Sequence, residues 1–548
     1  MKILLISIRS AMEGGYPAAH LGFFRIASYL KNRGFEADVA DLELDELDDY
    51  LERIREGDYA IVGFSVSTYE MEKDLDLIWA CKEAASKLPF RCLMIAGGQQ
   101  AAMNTRQWLE EGGIDICVLG YGERPMLALC QQIDANPAAS ISEICKGISG
   151  TAYLDEARKL VFNPQPAITQ EEFDILNYDC MLEANIPYEK FWAYNEKKIS
   201  SLEFNKLVFR IKNIRIYATS HCPLRCAFCS SQYFLPAAQN SKAQKIVMLS
   251  AEKIHQLVLA FHKRYGADSF FFGCDNFVIA KQGRDRLSRL CTLLIESKKK
   301  GELPEEVVFH CMARVDSFIT AHEGKRVIDY DLLNAMKAAG FVNISSGVET
   351  FSDRLLHVPS VNKINISRKD CTDVLDAILA AGLVPQILLI LAIPESTPDE
   401  MLDTMMTAAR FIREGAQVGC TTYMFADYGA PITSNPQYSF DRREWKNPYT
   451  GEIVKINNKV HPLDPVVASV IDKFETATDE EILRLRADTR WSTGILPKFF
   501  VGLASFIAIA KLLKRDDAVA YFEDIFNQLC QKNSLEGAQS QEQTVIRS

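Results

Sequence analysis

The sequence predicts an α/β protein with an N-terminal doubly wound parallel sheet, a partial (β/α)6 barrel and a mostly helical C-terminal region. Three observations predict this architecture. The 548 residues exceed what one hydrophobic core normally holds. Short β-rich runs alternate with helical periodicity in two separate stretches, and helical sequence follows the second. We expect a sheet domain, a linker, a core and a capping region that contacts the substrate, at residues 1–145, 146–212, 213–435 and 436–548.

Composition excludes several classes of protein. The hydrophobic content of 48% and charged content of 24% are those of a globular protein, and the net charge of -11 argues against a general nucleic-acid binder. Fifteen cysteines without a secretory signal predict a reducing, cytoplasmic location. The longest apolar stretch, Phe499 to Leu513, is shorter than the roughly 20 residues that a membrane span needs.

The N-terminal stretch alternates strand and helix patterns, which is typical of a parallel sheet covered by helices. Helical patterns lie near residues 20–33, 70–86, 104–111 and 124–133. The strand-like runs are Lys2 to Ser7, Glu36 to Ala40, Tyr59 to Gly63, Arg91 to Ala96 and Asp115 to Leu119.

Small residues follow three of these predicted strands, at the edge where parallel sheets bind ligands. Their backbone amides can approach a large ligand, although each glycine taken alone is better explained as the end of a strand and the start of a helix. No G-x-G-x-x-G follows the first strand, which weighs against a Rossmann-like dinucleotide site. The residues at this edge are Ser65, Ser67, Thr68, Tyr69, Gly97, Gly98, Gln99, Gly120, Gly122 and Glu123.

Residues 146–212 lack sustained periodicity and contain Asn163-Pro164-Gln165-Pro166, so we interpret them as a linker. Six strand-like runs then alternate with helical patterns near 250–265, 283–299, 328–339, 367–381 and 398–414. This arrangement predicts an incomplete parallel barrel whose site lies at the carboxyl ends of the strands. The runs are Ile214 to Ala218, Ser269 to Gly273, Val307 to Cys311, Asn343 to Gly347, Gln386 to Ala392 and Val418 to Tyr423.

Three cysteines follow the first run with the spacing C-x3-C-x2-C: Cys222, Cys226 and Cys229. Three thiolates can hold three irons of a 4Fe-4S cluster and leave the fourth iron open. A structural zinc site needs a fourth ligand, and no second Cys or His pair follows at zinc-finger spacing. Ferredoxin-type clusters also carry a fourth cysteine.

Charged residues follow the next three runs: Asp275, Arg314 and Glu349. Each has a purely structural alternative, since Asp275 can cap a helix, Arg314 can form a surface ion pair and Glu349 can sit at a helix N-terminus. Their succession at one end of consecutive strands favours a shared site, in which Asp275 would accept a hydrogen bond from an ammonium group.

These motifs resemble the cobalamin-dependent radical S-adenosylmethionine (SAM) enzymes, in particular their class B methyltransferases. The successive strand ends G-F-S, A-G-G and G-Y-G-E resemble the cobalamin-binding domain, and the cysteine triplet with Phe228 before its last member resembles the radical SAM core. The resemblance implies that the three cysteines bind the 4Fe-4S cluster, that Phe228, Asp275, Arg314 and Glu349 contact SAM, and that the small residues after the N-terminal strands contact cobalamin. The segment Ile-Pro-Glu-Ser-Thr departs from the family, where glycine often follows the proline, so Glu395 receives no role.

A second departure concerns the lower face of cobalamin. The family's common D-x-H-x-x-G element, whose histidine binds cobalt, is absent from the first strand-helix loop at residues 8–17. We therefore expect cobalamin without that histidine ligand, its lower face covered by the loop after the third strand, with Tyr69 as the candidate residue.

The resemblance implies C-methylation of an unactivated carbon, in which methylcobalamin made from SAM supplies the methyl group to a substrate radical. Cyclisation, oxidation or rearrangement without methyl transfer is the enzymatic alternative, and a cobalamin sensor is the non-enzymatic one. A methylthiotransferase for transfer RNA would need a second cluster, yet Cys81, Cys92, Cys117 and Cys130 fall in predicted elements of the sheet domain. Expected partners are a small-molecule or peptide substrate and an electron donor such as flavodoxin or ferredoxin, with the chain a monomer or weak oligomer.

Three further features have structural interpretations. The apolar run Phe499 to Ala510 predicts a buried helix, with contact to an apolar substrate as the alternative. His310 is expected to be a packed residue rather than a metal ligand. Tyr423 and Tyr428 are possible proton donors with ordinary packing explanations, so the catalytic acid or base stays unassigned, as does the substrate.

Overall fold

The computed structural model describes residues 1–7, 11–13, 16–67, 71–199, 210–242, 244–273, 275–441, 443–456, 459–487 and 502–545. Two sheets built mainly of parallel strands organise them, so the predicted α/β class is confirmed.

The N-terminal sheet has seven strands in the order β4-β1-β5-β6-β7-β8-β9. The first five are parallel, while β8 and β9 join antiparallel at one edge. A separate two-stranded ribbon, β2 and β3, follows β1. The strands are β1 Lys2–Ser7, β2 Ala11–Glu13, β3 Tyr16–Ala18, β4 Glu36–Asp41, β5 Ile61–Ser65, β6 Leu93–Gly97, β7 Ile116–Val118, β8 Thr151–Leu154 and β9 Leu160–Asn163.

Helices cover both faces of this sheet, and the strands are apolar on both faces as a result. The helices are α1 Leu21–Lys31, α2 Leu47–Arg55, α3 Met71–Ala85, α4 Gln99–Met103, α5 Thr105–Glu110, α6 Glu123–Ala135 and α7 Ile141–Cys145. The predicted elements are present, whereas α2, α4 and α7, which have nine, five and five residues, were not predicted because they are short.

The segment 146–212 differs from the predicted linker. It contains β8 and β9, so the N-terminal sheet continues to Asn163, beyond the expected boundary at 145. It then forms α8 Gln170–Asp174, a single π-helical turn Ile175–Asp179, α9 Cys180–Glu183 and α10 Tyr188–Ile199. Four-residue strands and one-turn helices are too short to show periodicity, which explains the difference.

The core sheet has six parallel strands in the consecutive order β10-β11-β12-β15-β16-β17. All six predicted runs become these strands, which confirms the predicted order. Among the described residues no pairing joins β17 to β10, so the sheet is open; its curvature as a partial barrel stays a prediction. The strands are β10 Asn213–Arg215, β11 Ser269–Phe272, β12 Val308–Met312, β13 Ile319–His322, β14 Lys325–Ile328, β15 Phe341–Glu349, β16 Val384–Ala392 and β17 Gln417–Tyr423, where β13 and β14 form a separate hairpin.

Helices pack on one face of the core sheet and bury a large apolar cluster there. Five of them lie close to their predicted positions. The core helices are α11 Phe234–Ala238, α12 Ala251–Tyr265, α13 Ala280–Lys299, α14 Tyr330–Ala339, α15 Asp353–Leu356, α16 Arg368–Ala380 and α17 Pro398–Arg413, with 3-10 turns at Val315–Phe318 and Pro431–Ser434.

The C-terminal region is mostly helical as predicted, but it begins with a hairpin, β18 Arg443–Lys446 and β19 Ile453–Ile456. Its helices are α18 Pro465–Glu475, α19 Glu480–Ala487, α20 Leu503–Leu512 and α21 Asp516–Val545. Helix α20 is buried from Leu503 to Ala510 among α17, α18 and α21, which confirms a core helix; Phe499 to Val501 lie outside the described residues. No described helix combines the length and apolarity needed to cross a membrane.

Candidate active site

The cysteine loop after β10 is held by two other segments of the core. The amide of Ala227 donates to the carbonyl of Val361 at 3.4 Å, and the amide of Ile432 donates to the carbonyl of Ala227 at 3.0 Å. The amide of Asp427 donates to the carbonyl of Phe228 at 2.9 Å. The loop is therefore fixed between the segments that follow β15 and β17, at the carboxyl ends of their strands.

The three cysteines lie together in this loop. Burial raises the pKa of the Cys222 thiol to about 12, with smaller contributions from Asp275 and Cys226, and burial likewise raises the pKa of Cys226 and of Cys229. The amide of Ser231 donates to the Cys229 sulfur at 3.4 Å. Thiols this hard to ionise lose their protons when a metal binds, because the thiolate is the ligand.

Charged residues predicted from the strand ends surround the cysteine loop. Asp275 accepts a hydrogen bond from the Ser231 hydroxyl, and its enclosure raises the pKa of its carboxyl. Arg314 is largely buried and donates from Nε to the partly exposed Asp316 Oδ1 at 2.8 Å, so its ion pair is only partly open to solvent. Glu349 ends β15 with a left-handed φ of 66°, a strained conformation of the kind found at functional sites.

Lys363 was not predicted from the sequence. Its side chain is 3% exposed and donates to the Gly347 carbonyl and, at 2.9 Å, to Glu349 Oε1, whose side chain is 13% exposed. The ammonium group also lowers the cost of ionising Cys226, as does Arg314. No signal in the sequence identifies Lys363, because it lies in an irregular segment 14 residues after Glu349.

Two other residues near the loop have mainly packing roles. Phe228 is half-buried against an apolar cluster that includes Val361 and Ile432. The Glu395 carboxylate accepts hydrogen bonds from Ser360 and Tyr438, so it is already occupied.

At the ligand edge of the N-terminal sheet the predicted small residues are neighbours. Ser65 pairs with Gly97, and the Val66 amide donates to the Gly97 carbonyl at 3.1 Å. Gly98 and Gly120 have left-handed φ values of 94° and 74°, which favour glycine. Ser67 donates its amide to Asp74 at 2.8 Å. Thr68 and Tyr69 lie outside the described residues.

Glu123, at the start of α6, forms a buried ion pair. It is 1% exposed, and Oε1 accepts a hydrogen bond from Arg25 Nε at 2.9 Å. Arg25 Nη1 also donates to Asn177 Oδ1 at 2.8 Å, on the π-helical turn. The carboxylate therefore forms a buried ion pair, and a direct contact with cobalamin would require this pair to open.

A cavity of about 400 Å³ joins the two regions. The N-terminal unit contributes Gln99 and Gly120, and the core contributes Asp275. Sequence reasoning missed His20, which also lines the cavity just before α1, three residues beyond the loop that lacks the expected histidine. The remaining lining residues are Ala19, Leu21, Gly22, Arg25, Tyr121, Asn177, Tyr217, Thr219, Ser220, His221, Phe234, Leu235 and Gly273.

Family models match both halves of the chain. The B12 binding domain matches residues 12–130, and the Radical SAM superfamily matches residues 216–408. The chain is a radical SAM enzyme with a B12-binding domain. No curated protein sequence matches it.

Solved structures of radical SAM enzymes share this fold at low identity. TsrM, a radical SAM methyltransferase from Kitasatospora setae, is 14% identical with a TM-score of 0.56, over 79% of this chain and 75% of TsrM. OxsB, a cobalamin-dependent SAM radical enzyme, is 13% identical with a TM-score of 0.62, over 98% of this chain and 80% of OxsB. The resemblance to the cobalamin-dependent radical SAM enzymes is confirmed, and with it the cofactors: a 4Fe-4S cluster, SAM and cobalamin.

The residues of the radical SAM enzyme fit these cofactors. Among the described residues no three His, Cys, Asp or Glu side chains converge on one metal ion. Cysteines that bind different irons of one cluster need not converge on a single point, so the arrangement of the triplet is compatible with a cluster. Cys81, Cys92, Cys117 and Cys130 are buried in the N-terminal unit, as expected for packing thiols.

Proposed function

We propose that this radical SAM enzyme is a C-methyltransferase that acts on an unactivated carbon of a small-molecule or peptide substrate. When bound, the cluster and SAM supply a 5'-deoxyadenosyl radical, and cobalamin carries a methyl group between SAM and the substrate. The observation that carries the proposal is the cavity lined by both Gln99 and Gly120 on one side and Asp275 on the other. A substrate there lies between the two cofactor regions. TsrM, a structural neighbour, is a methyltransferase.

The chain's own residues bind and orient the reactants. Cys222, Cys226 and Cys229 would hold the cluster, and Asp275, Arg314, Glu349 and Phe228 would contact SAM. Arg314 and Lys363 bring positive charge beside the cysteine loop, which suits an anionic cluster and a carboxylate ligand. Both side chains are largely shielded from solvent, and a site shielded from water suits a reactive radical.

The cobalamin contacts are proposed for Ser65, Ser67, Gly97, Gly98, Gln99, Gly120 and Gly122, with Thr68 and Tyr69. We further propose that cobalt lacks a histidine ligand. The electron paramagnetic resonance (EPR) spectrum of the cob(II)alamin form tests this, because a nitrogen ligand adds a characteristic splitting. A split spectrum in the wild type that collapses in His20→Phe would identify His20 as the ligand and overturn the proposal.

An anaerobic assay with methyl-labelled SAM and candidate extracts tests the activity. Methyl transfer predicts S-adenosylhomocysteine and 5'-deoxyadenosine in comparable amounts together with a labelled product. Formation of 5'-deoxyadenosine with no methylated product on the true substrate would contradict it. That result would instead favour cyclisation, oxidation or rearrangement, for which an electron donor such as flavodoxin or ferredoxin is equally required.

A further inference from the structure

A hydroxyl group directly after the last cysteine connects the two cofactor regions. Ser230 is buried, and both its amide and its hydroxyl donate to Asp427 Oδ2 at 2.8 Å. The same hydroxyl oxygen lies 3.3 Å from the amide oxygen of Gln99, at the ligand edge of the N-terminal sheet. One side chain therefore touches the core and the N-terminal unit at once.

The hydroxyl can serve both neighbours. It has one hydrogen, which the closer Asp427 carboxylate accepts, and it keeps lone pairs that can accept a hydrogen bond. Rotating the Gln99 amide by half a turn places its N–H where the oxygen stands, and the two orientations have nearly the same shape. Gln99 then donates to Ser230, which in turn donates to Asp427. We call these three residues the junction.

Packing around the junction keeps the two units at a fixed separation. Helix α11, which follows the cysteine loop, packs on α4, which begins at Gln99. Gly429, two residues after Asp427, has a left-handed φ of 76°, and a Cβ atom there would lie 2.6 Å from Met103 Cε and 3.2 Å from its carbonyl oxygen. The loop after β17 thus approaches α4 as closely as a glycine permits.

We propose that the junction couples the cluster site to the cobalamin site, so that filling one raises the affinity of the other. A cofactor that orders the cysteine loop also orders Ser230 and Asp427, and through them Gln99. The second cofactor then binds to an edge that is already fixed and loses less conformational entropy. Linkage requires the effect to be equal in both directions. Ser230 is on this view a positioning residue that contacts neither reactant.

Anaerobic titration of the full chain with hydroxocobalamin, followed by visible absorbance, measures the coupling. The dissociation constant is determined with the cluster reconstituted and after removal of iron by a chelator. In the wild type we expect cobalamin to bind about five-fold or more tightly when the cluster is present, as in typical linkage. In Ser230→Ala this ratio should fall to about one, while the constant of the iron-free chain stays within about two-fold of the wild type.

Ser434→Ala is the matched control. Ser434 lies on the same loop as Asp427, is exposed and donates only to the Pro431 carbonyl at 3.1 Å, so its loss should leave the ratio unchanged. If Ser230→Ala fails to take up iron, the same ratio is measured in Gln99→Met, which changes the junction residue on the N-terminal unit. That change leaves every residue of the cysteine loop in place, and an effect on cobalamin binding that is equal with and without the cluster cancels in the ratio.

A wild-type ratio of one would overturn the proposal, and so would a wild-type ratio in Ser230→Ala or, with full iron content, in Gln99→Met. These measurements involve no turnover and no substrate. A failure of methyl transfer would therefore leave the coupling standing, and loss of the coupling would leave methyl transfer open.

Discussion

The two sheets differ in what their faces bury. The N-terminal sheet is apolar on both faces: Leu4 and Ile6 belong to one cluster, and Ile3 and Leu5 to the other. The core sheet has one apolar face, while hydrogen bonds join polar side chains across its other face. That polar layer consists of Asn213, Ser269, His310, Asn343, Ser345, Gln386 and Gln417.

This difference determines how each sheet can bind a ligand. A sheet packed on both faces can offer only its edge, where Gly97, Gly98 and Gly120 stand, and an edge suits a large ligand that rests against backbone. A sheet with one polar face can surround a ligand with charges, and the core places Lys363 and Glu349 beside the cysteine loop. The N-terminal sheet therefore presents a ligand surface at one edge, whereas the core sheet encloses its ligand.

The largest expected effect concerns the cluster site of the core. Cys226→Ala should abolish cluster binding, because one iron loses its ligand, and iron should fall from about four per chain to below about one. Iron analysis and the visible absorbance of the reconstituted protein measure this. Cys291→Ala, which changes a buried thiol in α13 away from the loop, should retain full iron content. Loss of iron in the control alone would contradict the assignment.

The next effect tests the buried charges of the core. Lys363→Met leaves the Glu349 carboxylate without its cation, and breaking a buried pair lowers the free energy of unfolding by about 3–5 kcal/mol. Urea denaturation measures the loss. Lys369→Met removes the cation of an exposed pair with Asp373 and should leave stability unchanged.

A double variant separates charge burial from packing. Glu349→Gln added to Lys363→Met removes the uncompensated charge and should recover most of the lost stability. Binding of SAM should not recover, because Glu349 is a proposed contact. Equal loss in the single and double variants would mean that Lys363 contributes packing alone.

The sequence predicted both sheets because long apolar runs alternate with helices of clear periodicity. It also predicted the cysteines, Asp275, Arg314 and Glu349, since residues after consecutive parallel strands meet at one edge. Lys363, Ser230 and His20 were missed because their positions depend on how irregular segments fold back, which no local pattern records. Glu123 follows a predicted strand yet is buried by Arg25, a partner 98 positions away in the chain.

A third prediction uses the polar layer of the core. Burial lowers the pKa of His310 to about 4, and its Nε2 lies 3.1 Å from the Ser269 hydroxyl. In the unfolded chain a histidine has a pKa near 6.5. Below that pH His310 is therefore protonated in the unfolded chain but stays neutral in the folded chain. Stability is therefore full above about pH 6.5 and falls as the pH drops towards 4, by at most about 3 kcal/mol.

His310→Gln should flatten this part of the stability profile, as measured by urea denaturation between pH 4 and 7. It keeps a polar group beside Ser269 but cannot gain a proton. His322→Gln, at an exposed position on β13, should retain the wild-type slope. An unchanged slope in His310→Gln would show that the layer admits the proton without loss.

The smallest expected effect concerns the contact between the N-terminal sheet domain and the C-terminal region. Trp445 on β18 is buried with Val454 and Ile456 in an apolar cluster of the N-terminal sheet, and its Nε1 donates to Asp76 on α3 at 2.8 Å. Trp445→Phe keeps most of the apolar contact and removes the hydrogen bond. Because Asp76 is exposed and can turn to water, the loss should be about 1 kcal/mol.

A local loosening of that size raises the open population of the hairpin about five-fold. Native-state digestion with trypsin detects it, since Arg443, Lys446 and Lys455 lie on the hairpin strands, and cleavage there should accelerate about five-fold when opening is fast. Glu444→Gln, an exposed change on the same strand, should cleave at the wild-type rate. If Trp445→Phe instead lowers the stability of the whole chain with no local acceleration of cleavage, the hairpin and the N-terminal sheet unfold as one cooperative unit. The two sheets are then more tightly joined than their different surfaces suggest.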